Sequence, residues 1–367
     1  MRFKPRRFKS IDIFRGTCMV WMFLAHLLDW WLKPEFFMIR DSAHILLDSV
    51  GASGFLFISG VSITLSYKNQ MYRVNSLKTV SYFRVKVSYF IRSFLLLIIA
   101  LLYNLIIAIG KWDFSWIWTW FVLMTAAFSL IIMWPFFKVP LLIRVILVFV
   151  IWFLSNYLYY VLSPFKGNSD VFGVFYYMLF NPYEQDPLIN FFSFFLFGTV
   201  IGEILSYSNF EESFHKVKKY LNKRFIKPFL LIGAFFIATG ILLYFPNFLV
   251  RSSLSWLIYS LGIEITFLVI LLLLEENGFL KAKKSFNLLF YYSYYSFTVY
   301  LAHNLLFFIC SNCLSFTSFL VAIFITFVVV GLILRKIYNL WGWKASIKSI
   351  MGNLSTYLAK KIESKRY

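Results

Sequence analysis

The chain has 367 residues, of which 60% are apolar and only 14% are charged, and its mean hydropathy is +0.75. A soluble globular protein has about 25% charged residues and needs polar side chains to cover a surface that faces water. This composition excludes a soluble fold and predicts a chain that lies mostly in lipid. The net charge of +20 would indicate nucleic-acid binding in a soluble protein. Because Lys and Arg also accumulate in the cytoplasmic loops of membrane proteins, no nucleic-acid partner is expected here.

About ten segments are long and apolar enough to cross a bilayer as helices, which takes about 20 residues each. We therefore predict an all-α fold, a polytopic integral membrane helix bundle, that forms a single domain over residues 1–340. Residues 341–367 predict a basic amphipathic tail on the inner leaflet of the membrane. The predicted spans are 11–33, 44–66, 83–109, 114–136, 141–162, 189–207, 226–246, 252–274, 288–311 and 317–340.

The distribution of positive charge predicts the orientation of these spans. If the amino terminus lies in the cytoplasm, 29 of the 36 Lys and Arg residues fall in cytoplasmic segments. This bias predicts a multi-pass protein of the cell membrane with both termini in the cytoplasm. The predicted cytoplasmic segments are 1–9, 68–86, 138–144, 216–227, 281–284 and 335–367.

Three cysteines are too few for a disulfide framework, and two of them, Cys310 and Cys313, form a CxxC pair at the end of an apolar helix. A zinc site would need a second pair of ligands, which the sequence does not offer nearby. Neither a metal site nor a redox function is predicted.

The first predicted span carries four ionisable residues, Asp12, Arg15, His26 and Asp29. At about 100° per residue they share one face of a helix and form a polar stripe. Ionisable groups cost about 2.5–3.5 kcal/mol each at the centre of a membrane helix, so they are functional candidates. Arg15 and His26 are separated by about 16 Å of helical rise, a little over half of the hydrocarbon thickness. This geometry suits a site that is loaded from one side and emptied on the other.

Two further predicted spans place histidines at the level of His26. His44 and Asp48 lie one turn apart at the start of the second span, where a carboxylate can raise the basicity of a histidine that acts as a general base. His303 lies in the outer half of the ninth span, and Arg92 is a second cation inside a span. A lone histidine can equally serve as a hydrogen-bonding group between helices. Three at one depth favour a catalytic site.

Three segments resemble membrane acyltransferases. Residues 8–16, FKSIDIFRG, resemble the start of heparan-α-glucosaminide N-acetyltransferase-type membrane proteins, and residues 55–62, FLFISGVS, are similar to the second helix of that family. Residues 292–303, YSYYSFTVYLAH, resemble a helix that is shared with the wider membrane acyltransferase superfamily. The resemblance implies transfer of an acyl group, usually acetyl, from cytoplasmic acyl-CoA to a sugar at the opposite face.

The resemblance offers two candidates for the essential histidine. In the heparan-type branch this residue lies in the first outer loop or at the start of the second span, which matches His44. In the wider superfamily it ends the first span, which matches His26. Either imidazole could remove the proton of the acceptor, oriented by Asp48 or Asp29; the choice between them stays open at this stage.

The leading hypothesis is an acyl-CoA-dependent O- or N-acyltransferase, with acetyl-CoA or another acyl-CoA as the donor substrate and no metal. The expected partners are the lipid bilayer, acyl-CoA and a sugar or glycolipid acceptor; a homodimer stays an open alternative. Asp12, Arg15 and Arg92 are predicted to form the donor site at the basic inner face. The alternative hypothesis is a transporter or lipid flippase, in which the same His and Asp residues form a proton or substrate pathway.

Overall fold

The computed structural model describes residues 6–181, 185–207, 219–243, 252–280 and 287–366. Within these ranges the regular structure consists of helices, as the sequence predicts. We number the α-helices in chain order: α1 Lys9–Trp31, α2 Phe37–Leu47, α3 Ala52–Asn75, α4 Tyr82–Lys111, α5 Val122–Phe136, α6 Leu141–Leu162, α7 Val171–Leu179, α8 Leu188–Ser206, α9 Lys227–Leu243, α10 Leu254–Glu276, α11 Asn287–Tyr294, α12 Ser296–Ala302, α13 Phe316–Trp341 and α14 Ile347–Ser364.

In the described part of the chain, nine helical segments are long and apolar enough to cross a membrane. The predicted span 288–311 is not one continuous helix. It consists of α11, α12 and a 3-10 helix, His303–Phe308. The sequence YYSYYS at 291–296 has weak helix propensity because aromatic side chains lose rotamer freedom and Ser competes for backbone hydrogen bonds, and the break falls within it.

The second predicted span begins later than residue 44. Helix α2 and a 3-10 turn, Asp48–Val50, precede α3, and Gly51 separates them with a non-helical backbone (φ −72°, ψ −115°). A Cβ atom at Gly51 would lie 3.2 Å from the Trp21 ring of α1, so the absence of a side chain permits this close approach. As a result, His44 lies outside the long membrane-spanning helix.

Helices α3 and α8 pack together more extensively than any other pair of described helices. Two glycines permit this contact: a Cβ atom at Gly60 would clash with the backbone carbonyl of Phe195, and one at Gly198 would clash with that of Phe57. Small residues allow membrane helices to approach at backbone distance. The pair forms the centre of the bundle, with α1, α5, α6 and α10 around it.

We call the end of the bundle at which α1 begins the proximal end, and the end at which α1 stops the distal end. An ion cluster joins helices near the proximal end: the Glu203 carboxylate accepts hydrogen bonds from Lys68 and Arg144. Arg144, which the charge pattern placed in a cytoplasmic loop, is instead in the first turn of α6 with its side chain only 1% exposed. A long guanidinium side chain can reach a carboxylate on the adjacent helix, and charge counting does not include such contacts.

At the distal end, Cys310 and Cys313 form a disulfide. The loop that carries them is hydrogen-bonded along the end of α1. Asn312 N donates to Trp30 O at 2.8 Å, and Leu314 N donates to Trp31 O at 2.9 Å. Cys310 and Cys313 are only three residues apart in this loop, so the disulfide closes the loop itself and does not join it to another helix.

The carboxyl-terminal segment contains a helix, α14, which packs along α4. Its buried positions, Met351, Ser355 and Ala359, recur at the four-residue spacing of one helical face. The domain boundary at residue 340 stays a prediction. The placement of residues 341–367 on the inner leaflet of the membrane also stays a prediction. Of the predicted cytoplasmic segments, residues 1–5, 216–218, 281–284 and 367 lie outside the described residues.

Candidate active site

A cavity at the distal end brings together most of the predicted catalytic residues. His26 and Asp29 reach it from α1, and His44 and Asp48 reach it from α2 and the turn that follows. Asp186, the residue before Pro187 at the start of α8, and Tyr300 of α12 lie on its wall. The other lining residues are Cys18, Met19, Trp21, Met22, Ala25, Gly51, Ala52, Phe55, Phe121, Val122 and Gln185.

His44 lies between two carboxylates. Its Nδ1 is 3.1 Å from Asp48 Oδ1, and its Nε2 is 3.3 Å from Asp29 Oδ1. The Asp29 contact lacks good hydrogen-bond alignment, so it is mainly an ion pair. Trp21 Nε1 donates to the same Asp48 oxygen at 3.3 Å. Arg40 lies 4.0 Å from Asp29, so the network extends along α2.

The two carboxylates raise the pKa of His44 from 6.5 to about 9, with the contact to Asp29 as the largest cause and that to Asp48 next; partial desolvation acts in the opposite direction. His44 is therefore protonated at neutral pH. An imidazolium cannot accept a proton, so His44 is better suited to hold charge and orientation than to act as a general base.

His26 has different surroundings. Its ring stacks on Trp30 at a centroid distance of 5.2 Å and on His303 at 4.8 Å. His303 is 4% exposed, and its Nδ1 makes a short hydrogen bond with the Tyr300 carbonyl. Because that contact occupies Nδ1 and the ring is packed against His26, His303 fixes the position of the His26 imidazole from behind. It does not itself line the cavity.

A second cavity lies toward the proximal end and is lined by three cations, Arg15 of α1, Arg92 of α4 and Lys348 of α14. The Arg15 guanidinium donates to the Ser62 hydroxyl and lies 3.8 Å from Asp12. Asp12 is also bound to Arg7 at 2.7 Å, so it only partly neutralises the cluster. The other lining residues are Phe55, Ser59, Ser62, Ile63, Ser66, Leu96, Leu123, Ala126, Leu130, Phe195, Ser296, Phe297 and Met351.

Phe55 of α3 lines both cavities. They also share walls, since α1, α3 and α5 each contribute side chains to the two of them. Arg15 and His26 lie about 16 Å apart along α1 by helical rise. A cation-lined cavity and a cavity lined by His and Asp are thus arranged along the same helix, on either side of one aromatic ring.

Of the predicted site residues, the structure places His26, Asp29, His44 and Asp48 in the distal cavity. Arg15 and Arg92 lie in the proximal cavity, Asp12 lies beside it, and His303 lies behind His26. Sequence reasoning missed Lys348, Phe55 and Asp186 as lining residues. Of these three, only Asp186 has a recognisable position in the sequence, because it is an acidic residue directly before Pro187 and the long apolar segment that follows.

Cations and serine hydroxyls in the proximal cavity are suited to bind the phosphates of a nucleotide. Among the described residues, no group of three or more His, Cys, Asp and Glu side chains is arranged to hold a metal ion. Glu264 of α10 is fully buried, with Ser53 of α3 beside its carboxylate. It does not line either cavity.

Comparison with known proteins agrees with this chemistry. The family model described as Acyltransferase domain matches residues 8–335, which is most of the chain. No curated protein matches the sequence. The family match does not distinguish the heparan-α-glucosaminide N-acetyltransferase type from other acyltransferases. The chain is a membrane protein that belongs to this acyltransferase family.

Proposed function

We propose that this protein transfers an acyl group, typically acetyl, from cytoplasmic acyl-CoA to a glycan or glycolipid on the extracytoplasmic side of the cell membrane. In this proposal the proximal end, with both chain termini, faces the cytoplasm, in agreement with its excess of Lys and Arg. The finer assignment to a heparan-type enzyme would concern the acceptor alone, and the geometry described above does not depend on it.

The observation that carries the proposal is that Phe55 lines both cavities. Acyl transfer across a membrane needs a polyanion site for the donor on one side and a proton acceptor for the second substrate on the other. The cavity around Arg15, Arg92 and Lys348 supplies the first requirement. The cavity around His26 supplies the second. The extended arm that links the CoA phosphates to the thioester would pass Phe55.

In the reaction, the acceptor oxygen or nitrogen forms a bond to the acyl carbon while the carbon–sulfur bond of the thioester breaks. We assign to His26 the removal of the acceptor proton, which finally goes to the CoA sulfur. His44 is protonated at neutral pH and bound by Asp29 and Asp48, so its role is to hold these two carboxylates in place and, with them, to orient the acceptor.

Purified protein in an uncharged detergent, given radiolabelled acetyl-CoA and a panel of glycans and glycolipids, tests the proposal. We expect the label to move to an acceptor and acetyl-CoA to raise the thermal unfolding temperature. If a sugar or lipid stabilises the protein equally with and without acetyl-CoA, and no label is transferred to an acceptor, the proposal is contradicted and transport is favoured.

Two arginine variants sharpen this experiment. Arg92→Ala removes a cation of the proximal cavity and should raise KM for acetyl-CoA by about tenfold, since a charge-assisted contact contributes about 1.5–3 kcal/mol. KM for the acceptor should not change. Arg73→Ala is the matched control, because Arg73 is exposed on α3 and does not line either cavity.

A further inference from the structure

The proximal cavity is completed by a residue that lies outside the family match. The match ends at residue 335, whereas α14 begins at Ile347 and places Lys348 on the cavity wall. Lys348 shares one helical face with the buried residues Met351, Ser355 and Ala359. The first residue on the buried face of α14 is therefore positively charged, and it lines the same cavity as Arg15 and Arg92.

Among the described residues, anions do not match these three charges one for one, since Asp12 is the carboxylate that acts on them. Arg92 and Lys348 form no hydrogen bond or ion pair with any residue that the structure describes. The three cations repel one another across the cavity. Asp12, the nearest carboxylate to Arg15, is shared with Arg7. Partly buried cations without partners are unfavourable, and they are stabilised when an anion occupies the space between them.

Contacts at both ends hold α14 in this position. Near its start, Thr298 of α12 accepts from Ile347 N at 3.3 Å and donates to Ala345 O at 3.3 Å. Near its end, Glu363 accepts from Arg84 Nε of α4 at 2.6 Å and from the Ser81 hydroxyl. Lys348 is therefore presented by a helix that is attached to two other helices of the bundle.

We propose that α14 is a wall of the donor site and that Lys348 binds a phosphate of the acyl-CoA nucleotide together with Arg15 and Arg92. This inference rests on the proposed function for the identity of the donor. The ligand chemistry is a phosphate monoester or diphosphate. Anionic lipid headgroups carry the same chemistry, and the experiment below separates the two sources.

The test compares the full-length protein with Lys348→Ala, Lys348→Arg and Lys360→Ala in an uncharged detergent. Lys360 is the matched control because it lies on the same helix and is exposed, away from the cavity. We expect Lys348→Ala to weaken acetyl-CoA binding by about tenfold and to reduce its dependence on salt concentration, since one charge-assisted contact is lost. Lys348→Arg should keep most of the affinity, and Lys360→Ala all of it.

Thermal unfolding without ligand distinguishes a binding residue from a structural one. Since Lys348 has no ion-pair partner among the described residues, its removal should leave the unfolding temperature of the ligand-free protein unchanged or raise it. The rise in unfolding temperature on adding acetyl-CoA should become smaller. A lower unfolding temperature in the ligand-free Lys348→Ala protein, together with wild-type affinity, would overturn the inference.

Two further ligands separate the remaining outcomes. If the wild type binds inorganic pyrophosphate but not acetyl-CoA, and Lys348→Ala loses the pyrophosphate binding, the anion site is supported and the proposed donor is not. If Lys348→Ala changes only the stabilisation by phosphatidylglycerol and not by acetyl-CoA or pyrophosphate, Lys348 is a lipid contact and the inference fails.

Discussion

The ring of His26 stacks on the ring of His303 at a centroid distance of 4.8 Å, with an angle of 26° between their planes. His26 faces the distal cavity, whereas His303 is buried behind it. Two histidines in direct contact therefore have different surroundings. The ring of His26 lines the cavity, and the ring of His303 packs against it from the protein side.

We predict that His26→Ala lowers kcat for acyl transfer by about 10²–10⁴-fold, the range that loss of a general base produces. The dissociation constant for acetyl-CoA should stay within about twofold, because His26 does not line the proximal cavity. Steady-state kinetics and equilibrium binding on the same preparation measure both quantities. A His44→Ala protein that loses more activity than His26→Ala would show that the base has been assigned to the wrong histidine.

The contacts of His44 predict a pH dependence of stability. The pKa of His44 is about 9 in the folded protein, above the ordinary value of 6.5. Because the pKa of His44 is higher in the folded chain than in the unfolded chain, protonated His44 contributes its full stabilisation below pH 6.5. This contribution is lost as the pH rises through 9. The thermal unfolding temperature of the wild type should therefore fall between pH 6.5 and 9.5, more steeply than that of His44→Gln.

Asp29→Asn provides the matched comparison, since it keeps the shape of the side chain and removes the charge that raises the pKa of His44 most. As the pH rises, the unfolding temperature of Asp29→Asn should begin to fall at a lower pH than that of the wild type. Parallel profiles for the wild type, His44→Gln and Asp29→Asn would exclude a contribution from this network.

Residues that act within one helix could be predicted from the sequence. Arg15 and His26 lie on one face of α1, and helical periodicity alone placed them at two depths of a common stripe. This prediction needs only the rise and rotation of a single helix. His303 was placed by the same reasoning at the level of His26, and the two rings are in contact, although the predicted span 288–311 is broken before His303.

Residues whose role depends on contacts between distant segments could not be predicted. Lys348 is a basic residue in an amphipathic tail, and the same pattern is typical of a helix on a membrane surface. Arg144 was counted as a loop charge, although it pairs with Glu203 on another helix. Both assignments require the tertiary packing of α14 on α4 and of α6 on α8, which no local pattern encodes.

Loss of the Cys310–Cys313 disulfide should destabilise the distal end. The bridge closes a short loop, for which the chain-entropy relation gives about 2 kcal/mol. The loop is hydrogen-bonded to the end of α1 that carries His26 and Trp30, so reduction should lower both the unfolding temperature and kcat. Dithiothreitol treatment of the wild type should reproduce the effect of the double change to Ser. If dithiothreitol still changes the double variant, the effect comes from elsewhere.

Glu203→Ala should be strongly destabilising, because it leaves the Arg144 guanidinium, with 1% side-chain exposure, without its carboxylate. Breaking a buried ion pair from one side costs about 3–5 kcal/mol. The double variant Arg144→Met with Glu203→Met should recover much of the loss. Glu35→Gln, a change at an exposed position, serves as the control. Equal unfolding temperatures for Glu203→Ala and the control would show that the pair contributes nothing.

Phe55 lines both cavities, so its size should control passage of the acyl group without controlling binding of the donor phosphates. We predict that Phe55→Trp lowers acyl transfer by at least about tenfold, because a small displacement of the reacting atoms is costly. Binding of acetyl-CoA should stay within about threefold, because Arg15, Arg92 and Lys348 are retained. Phe55→Leu, which keeps an apolar side chain of smaller size, should transfer at a rate close to that of the wild type. Normal transfer by Phe55→Trp would mean that the acyl group reaches His26 by a route that does not pass this ring.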